Sequence, residues 1–136
     1  PERFTKNDWI NIKTDSVRNN IFNKTEIVFN DIKSIENTFK EIFTKTKYNF
    51  PDFIPPKIIT LNNGIDYKYK IIDSDSIVLI SLDCYLGDKL FYKNIPNHIS
   101  NLMIPEFISI DISELIASRF INKPIDRKFI SKIISK

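Results

Sequence analysis

The stretch Leu82-Asp83-Cys84-Tyr85-Leu86-Gly87-Asp88-Lys89-Leu90-Phe91-Tyr92, followed by Ile95-Pro96-Asn97-His98-Ile99, links an apolar run to an amphipathic helix. The apolar run before it, from Ile77 to Leu82, predicts a central strand that is covered on both faces. Gly87 is one of only two glycines in the chain. Because glycine adopts backbone conformations that are closed to other residues, it suits a tight exit from that strand. The stretch therefore predicts a tight strand-to-loop transition.

Two chemical roles are open for the polar side chains of this transition. Asp83 and Asp88 are expected to accept hydrogen bonds from backbone N–H groups of a tight turn. Alternatively, Asp83, Tyr85, Asp88 and Tyr92 line a cleft and bind a ligand or a cation. Calcium prefers several oxygen ligands, and the spacing of an EF-hand is absent. A structural turn is the favoured interpretation, with ligand contact second and a metal site last.

Further strands are predicted upstream of this transition. Residues 57–61 form a β-branched run, and Asn62-Asn63-Gly64 is a turn able to supply positive φ. Residues 67–72 alternate in a way that is typical of a half-buried strand, and a second turn is predicted at Asp73-Ser74-Asp75-Ser76. Two hairpins result, so the sequence predicts a small antiparallel or mixed sheet of about three strands.

A long amphipathic helix is predicted before the strands. Its apolar residues recur with the helical period, and it ends before Pro51, with Pro55 and Pro56 continuing a rigid connection. The stripe consists of Val28, Ile32, Ile35, Phe39, Ile42 and Phe43. Residues 1–25 are expected to form an arm with a short helix around Ser16 to Phe22. The arm is anchored on the core by Phe4, Trp9, Ile10, Ile12, Val17, Ile21 and Phe22.

The last third of the chain is predicted to be helical. One helix follows Pro105, with Glu106 placed favourably for the helix dipole, and its buried stripe is Ile108, Ile112, Leu115, Ile116 and Phe120. A break at Asn122-Lys123 and a last helix from Pro124 follow, with Ile125, Phe129, Ile130 and Ile133 facing inward. The predicted fold class is α+β, with amphipathic helices packed against one face of the sheet.

Composition excludes several classes of function. The chain has 27 Ile, 16 Lys and 14 Asn but one Ala, a bias typical of an AT-rich genome. Its net charge is +3, but the lysines are interspersed with acids and form no dense basic patch, so no nucleic-acid partner is expected. Cys84 is the only cysteine; it forms no intrachain disulfide and is interpreted as a small core residue. No apolar run approaches the roughly 20 residues of a membrane span, and the chain does not open with a signal peptide.

No catalytic motif is present. His98 is the only histidine, whereas a zinc hydrolase needs two or three such ligands and its helical form needs a second His four residues away. His98 is interpreted as a loop residue after Pro96. No Ser-His-Asp set is nominated, because no motif places the one histidine against a nucleophile. With only two glycines, a phosphate-binding glycine loop is excluded. Because no motif for a ligand set is present either, no cofactor and no metal are expected.

Two segments carry a family resemblance. The order Leu82-Asp83-Cys84-Tyr85-Leu86-Gly87, then a Tyr, a Pro and an Ile-rich helix, resembles the signature of the GldB family of gliding-motility lipoproteins. The opening Glu2-Arg3-Phe4-Thr5-Lys6 resembles the start of mature GldB proteins, with Thr5 in place of the usual acid. The resemblance covers nearly all of this chain but only part of such a protein. The chain is therefore expected to be a single domain over residues 1–136 or the truncated N-terminal part of a larger GldB-like domain.

The resemblance implies a function. GldB-like proteins are cell-envelope lipoproteins required for gliding motility in the Bacteroidetes group, and the lipid-bearing cysteine would lie upstream of residue 1. The implied mechanism is protein–protein interaction with other envelope proteins of the motility and linked secretion machinery, on the periplasmic side of a membrane. The residues expected to contact a partner or ligand are Asp83, Tyr85, Leu86, Gly87, Phe91, Tyr92 and Pro96.

The resemblance leaves an enzymatic alternative. GldB-like proteins are distantly similar to zinc metallopeptidases at the level of the fold, and the helix from Glu106 to Ile121 would carry the His-Glu-x-x-His pair. It carries Ser109-Ile110-Asp111-Ile112-Ser113-Glu114 instead, which indicates a non-catalytic relative. A metallopeptidase-like hydrolase with catalytic residues outside this chain is the alternative. A soluble binding module of GldB ancestry, in a host that does not glide, is the third interpretation.

Overall fold

The computed structural model describes residues 5–7, 15–74 and 76–120. The helices that lie wholly within this part are Ser16–Val28 (α1), Ile32–Asn49 (α2), Asn97–Ser100 (α3) and Phe107–Arg119 (α4). The strands are Lys57–Leu61 (β1), Ile71–Ser74 (β2) and Ile77–Ser81 (β3). Three short 3₁₀ turns connect them, at Tyr67–Tyr69, Leu82–Tyr85 and Lys89–Tyr92. The predicted α+β class is confirmed.

The sheet has the strand order β1-β3-β2, so the most apolar strand lies at the centre as predicted. β2 and β3 form an antiparallel hairpin, in which Ile72 lies opposite Leu79. The predicted hairpin between β1 and β2 is wrong, because β1 pairs with β3 and runs parallel to it, with Ile59 opposite Leu79. A central position covers more of an apolar strand than an edge does, which favours β3 between the other two.

The predicted strand over residues 67–72 is wrong in its first half. The side-chain amide of Asn63 donates hydrogen bonds to the carbonyl oxygens of Asp66 and Tyr69, at 3.1 and 3.2 Å. These bonds stabilise a 3₁₀ turn over Tyr67–Tyr69, and the strand begins only at Ile71. The predicted turn after it is also displaced, because Asp73 and Ser74 still pair with β3. Asp75 lies outside the described residues.

The predicted long helix is confirmed over Ile32–Asn49 and ends before Pro51 as expected, but Val28, the first residue of its predicted stripe, belongs to the helix before it. The short helix expected around Ser16 to Phe22 is confirmed and extends to Val28, and Asp15 caps it by accepting a hydrogen bond from the Val17 N–H at 3.0 Å. Phe29 then turns into the core, and α2 begins at Ile32. Of the predicted anchors, Ile21 is buried whereas Val17 and Phe22 are exposed. Phe4, Trp9, Ile10 and Ile12 lie outside the described residues.

The core lies between the inner face of the sheet and the helices. Val78 and Ile80 of β3 are fully buried and belong to one cluster with Phe39 of α2. The predicted stripe of α4 is confirmed: Ile108, Ile112 and Ile116 are buried in that cluster, and Leu115 and Phe120 pack against it half-buried. The ring of Phe120 stacks on Phe50 with centroids 4.5 Å apart, which fastens the end of α4 to the loop after α2. The predicted last helix from Pro124 lies outside the described residues.

Candidate functional site

Parallel pairing of β1 and β3 brings the carboxyl ends of both strands to one edge of the sheet. Leu61 lies opposite Ser81, so the loop that follows β1 meets the turn that follows β3. Gly64 and Ile65 in the first loop both have positive φ, of 80° and 60°. Two successive left-handed residues turn neighbouring N–H groups toward a common point, which makes a concavity suited to an anion.

The carboxylate of Asp83 fills this concavity. Its Oδ2 accepts hydrogen bonds from the backbone N–H groups of Gly64 and Ile65, each at 2.9 Å. Its Oδ1 accepts a third from the N–H of Asn63 at 3.3 Å. Asp83 is fully buried, so these bonds replace the water that would otherwise solvate the carboxylate. The predicted role of Asp83 as a backbone acceptor is confirmed, and the residue fastens two chain segments together.

The Tyr92 hydroxyl stabilises the same turn by two hydrogen bonds to its backbone. This hydroxyl donates a hydrogen bond to the carbonyl oxygen of Asp83 at 2.7 Å and accepts one from the N–H of Leu86 at 2.9 Å. Tyr92 is buried, and burial raises the pKa of its hydroxyl well above the ordinary value. The phenol therefore stays protonated and holds both ends of residues 83–86 at the same time.

The chain leaves this buried turn, residues 82–86, at Gly87. Gly87 has φ of 70°, and its N–H donates to the carbonyl oxygen of Met103 at 3.0 Å. A Cβ added to Gly87 would lie 3.5 Å from Cδ of Pro105, an ordinary contact, so the positive φ and not a lack of space favours glycine. Asp88 then caps the next turn by accepting the Leu90 N–H at 3.0 Å, as predicted, and its Oδ2 lies 3.4 Å from Nζ of Lys24.

Tyr85 anchors the buried turn to α4. Its hydroxyl donates to Oδ2 of Asp111 at 2.7 Å, and Nζ of Lys70 lies 2.9 Å from the same oxygen. The Lys70 ammonium also lies 5.9 Å from the centroid of the Tyr85 ring. Burial, followed by the hydrogen bond to Asp111, raises the pKa of Tyr85 far above its ordinary value. These contacts join the turn, α4 and the residue that precedes β2.

Tyr85, Lys70 and Asp111 form one polar cluster, and sequence reasoning missed Lys70 and Asp111. They lie 15 residues before and 26 residues after Tyr85, so no local pattern relates them. One signal was available, because Asp111 borders the apolar stripe of α4, next to Ile108 at i−3 and Leu115 at i+4. A charged side chain at such a position indicates a partner in the core.

Cys84 belongs to the buried turn and is fully buried. Burial, followed by the nearby charge of Asp83, raises the pKa of the Cys84 thiol to about 12. The thiolate is the nucleophilic form of cysteine, so this side chain is unreactive at neutral pH. The interpretation of Cys84 as a core residue is confirmed.

The seven residues expected to contact a partner lie together but differ in burial. Asp83, Tyr85, Leu86 and Tyr92 are buried, Phe91 is half-buried, and Gly87 and Pro96 are exposed. Leu90, which the prediction did not include, is 72% exposed in the same segment. No sequence pattern marks Leu90 as exposed, because one 3₁₀ turn is too short to show a hydrophobic period.

A shallow depression adjoins the buried turn. It has a volume of about 260 Å³ and is lined by Arg18, Asn19, Ile21, Phe22, Asn62, Gly64 and Asp83. Within residues 5–7, 15–74 and 76–120, no group of three or more His, Cys, Asp or Glu side chains is placed to hold a metal ion. His98 lies in the single turn of α3 and is exposed, so its predicted place in a loop is wrong.

The fold and the site define an α+β domain. In it, a buried, hydrogen-bonded turn over residues 82–86 is followed directly by a loop that exposes Leu90. A sequence model of the family described as "Gliding motility protein GldB" matches residues 2–136. The chain therefore belongs to the GldB family, a lipoprotein family associated with gliding motility and with a membrane-anchored position in the cell envelope. Comparison with curated proteins and with solved structures gave no match. None of the described helices is long and apolar enough to cross a membrane.

Proposed function

We propose that this chain acts on the periplasmic side of the envelope by binding another protein of the gliding machinery or its linked secretion machinery. The contact is made by the signature loop, residues 87–96, through Gly87, Leu90, Phe91 and Pro96. The exposure of Leu90 carries the proposal: 72% of this apolar side chain is open to solvent in a segment that the rest of the fold holds in place. Coverage of such a side chain by a partner is favourable because it removes apolar area from water.

The signature loop is organised before any partner arrives. Its start is fixed by the hydrogen bond from the Gly87 N–H to Met103, and its first turn is capped by Asp88. Tyr92 enters the core and bonds back to the buried turn. A loop that is already ordered loses less conformational entropy on binding, which favours affinity.

Charge and apolarity together describe the partner. Residues 87–105 contain Lys89, Lys93 and His98 and one acid, Asp88, whose carboxylate lies 3.4 Å from Nζ of Lys24. Leu102 is also exposed, and Lys89 donates a hydrogen bond to the side chain of Asn101, so the two segments lie side by side. The surface is therefore apolar at its centre and basic at its rim, and it suits a partner with an apolar patch bordered by acidic groups.

The predicted contact residues then divide between two roles. Gly87, Phe91 and Pro96 touch the partner, together with Leu90. The buried members, Asp83, Tyr85, Leu86 and Tyr92, act by holding the loop in its conformation, since their side chains are enclosed by the protein. Substitution of a buried member is expected to reduce partner binding only through loss of the fold.

Co-purification of the full-length, lipid-anchored protein from a gliding host of the Bacteroidetes group tests this proposal. We expect Leu90→Ser to abolish recovery of motility or secretion components after cross-linking while leaving the free energy of unfolding within about 0.5 kcal/mol. Ile110→Ser is the matched control, because Ile110 is an exposed apolar residue on α4. Equal recovery by wild type and Leu90→Ser, at equal protein levels, would contradict the proposed contact.

A further inference from the structure

A second surface of the molecule has the character of a binding groove. It lies between the C-terminal half of α2 and the proline-containing loop after it, and its volume is about 560 Å³. The lining residues are Lys40, Phe43, Thr44, Lys47, Tyr48 and Pro55. The five helical members fall at i, i+3, i+4, i+7 and i+8, which is one continuous face of a helix.

The apolar side chains at this groove are unusually open. Tyr48 is 83% exposed and the neighbouring Ile54 is 80% exposed, the two highest values for large apolar side chains in the described part of the chain. Phe43 is half-buried at the base, where its ring lies 6.0 Å from that of Phe53. Tyrosine is enriched in protein interfaces because it combines a large apolar ring with a polar tip.

The charge of the groove is of one sign. Lys40 and Lys47 line it, and no acidic residue does. Neither ammonium makes an ion pair within the part of the chain that the structure describes; the nearby pair on α2 joins Lys45 to Glu41 at 3.0 Å. Two unpaired lysines beside open apolar side chains favour an anionic occupant with apolar groups.

The charge of residues 121–136 argues against that segment as the occupant of the groove. Residues 121–136 carry five Lys or Arg and one Asp, so like charges would meet the two lysines of the groove. A second copy of the chain, with a net charge of +3, is disfavoured for the same reason. We propose that this groove binds an acidic, apolar segment of a partner protein, independently of the signature loop.

The spacing of the lysines specifies the segment. Lys40 and Lys47 are seven residues apart on α2, and a rise of about 1.5 Å per residue places them roughly 10 Å apart along the axis. A peptide in the polyproline II conformation has three residues per turn and rises about 3.1 Å per residue, so its residues i and i+3 lie on the same side and about 9 Å apart. The segment therefore has acidic residues at positions i and i+3, with apolar residues between them that cover Tyr48.

A fluorescein-labelled peptide with the core Glu-Leu-Phe-Glu, titrated with this protein, tests the assignment by fluorescence anisotropy. The same peptide with Gln-Leu-Phe-Gln is the matched probe control. We expect binding of the first peptide that weakens with added salt, because the attraction is between exposed charges. The double variant Lys40→Glu/Lys47→Glu should weaken binding by about tenfold or more, and Tyr48→Ser should weaken it as well.

The protein control is Lys33→Glu/Lys68→Glu, which makes the same change of charge at two exposed lysines outside the groove and should bind the acidic peptide nearly as well as wild type. Absence of peptide binding up to about 1 mM, or equal loss in the two double variants, would overturn the proposal. Sedimentation with vesicles of equal parts phosphatidylcholine and phosphatidylglycerol, lost only in Lys40→Glu/Lys47→Glu, would assign the groove to a membrane surface and also overturn it.

Discussion

The buried turn and the signature loop are consecutive in the chain but have opposite relations to solvent. In the buried turn, Asp83, Cys84 and Tyr85 are fully enclosed, and every buried side-chain polar atom of the described residues has a hydrogen-bond partner. In the signature loop, Leu90 is open to solvent beside exposed Lys89 and Lys93. One continuous motif therefore contains a part that stabilises the domain and a part that is available to other molecules.

The difference shows why a motif should not be read as a single site. Asp83 and Tyr85 have the side chains expected of a binding cleft, yet their polar atoms bond to the protein itself. Leu90 has no chemical function of its own, yet it is the residue that a partner can reach. The hydrogen bonds of Asp83 and Tyr85 hold the backbone of the turn, and this turn positions Leu90 on the surface.

Removal of the Asp83 carboxylate gives the largest expected effect. Asp83→Ala leaves three backbone N–H groups without their acceptor and should lower the free energy of unfolding by about 3 kcal/mol or more. Asp88→Ala is the matched control in the signature loop, because it removes one N-terminal cap and should cost about 1 kcal/mol. Urea unfolding followed by circular dichroism measures both, and equal losses would remove the distinction between the two regions.

The Tyr92 hydroxyl gives the next largest effect. Tyr92→Phe keeps the ring but leaves the carbonyl of Asp83 and the N–H of Leu86 without their partner, so a loss of about 2 kcal/mol is expected. Leu90→Ser, two residues away, should change the free energy of unfolding by less than about 0.5 kcal/mol. An unchanged midpoint of urea unfolding in Tyr92→Phe would show that the hydroxyl does not hold the turn.

The thiol of Cys84 gives the smallest effect, and it appears only at alkaline pH. Its pKa is raised from 9.0 to about 12 in the folded protein, so the unfolded chain loses the proton first as the pH rises. Stability that depends on the neutral thiol is therefore complete below about pH 9 and decreases between about pH 9 and pH 12. Between about pH 8 and pH 10, wild type should lose about 1 kcal/mol more than Cys84→Ala. Parallel pH profiles of the two proteins would contradict the burial of the thiol.

Local patterns predicted much of this fold. The continuous apolar run from Ile77 marked the central strand, and the period of Ile108, Ile112 and Ile116 marked the buried face of α4. The two aspartates of the motif were predicted as backbone acceptors from the turn chemistry of the residues around them. In each case the physical cause lies within a few residues of the feature.

The features that sequence reasoning missed depend on contacts between distant residues. Parallel pairing of β1 with β3 involves strands separated by β2, and nothing in either strand specifies its direction. The break at residues 29–31 was hidden because Val28 and Ile32 keep the helical spacing across it. The burial of Tyr85 depends on Asp111 of α4, and its aromatic ring with a polar tip suits a core and an interface equally well.

Site-specific photo-cross-linking in the native envelope tests the central claim most directly. A photoreactive amino acid at position 90 of the full-length, lipid-anchored protein is compared with one at position 59, since Ile59 is an exposed apolar residue on β1. We predict that position 90 cross-links to a component of the motility or secretion machinery and that position 59 does not. Absence of a cross-link from position 90, or the same product from both positions, would contradict the assignment of the signature loop as the contact surface.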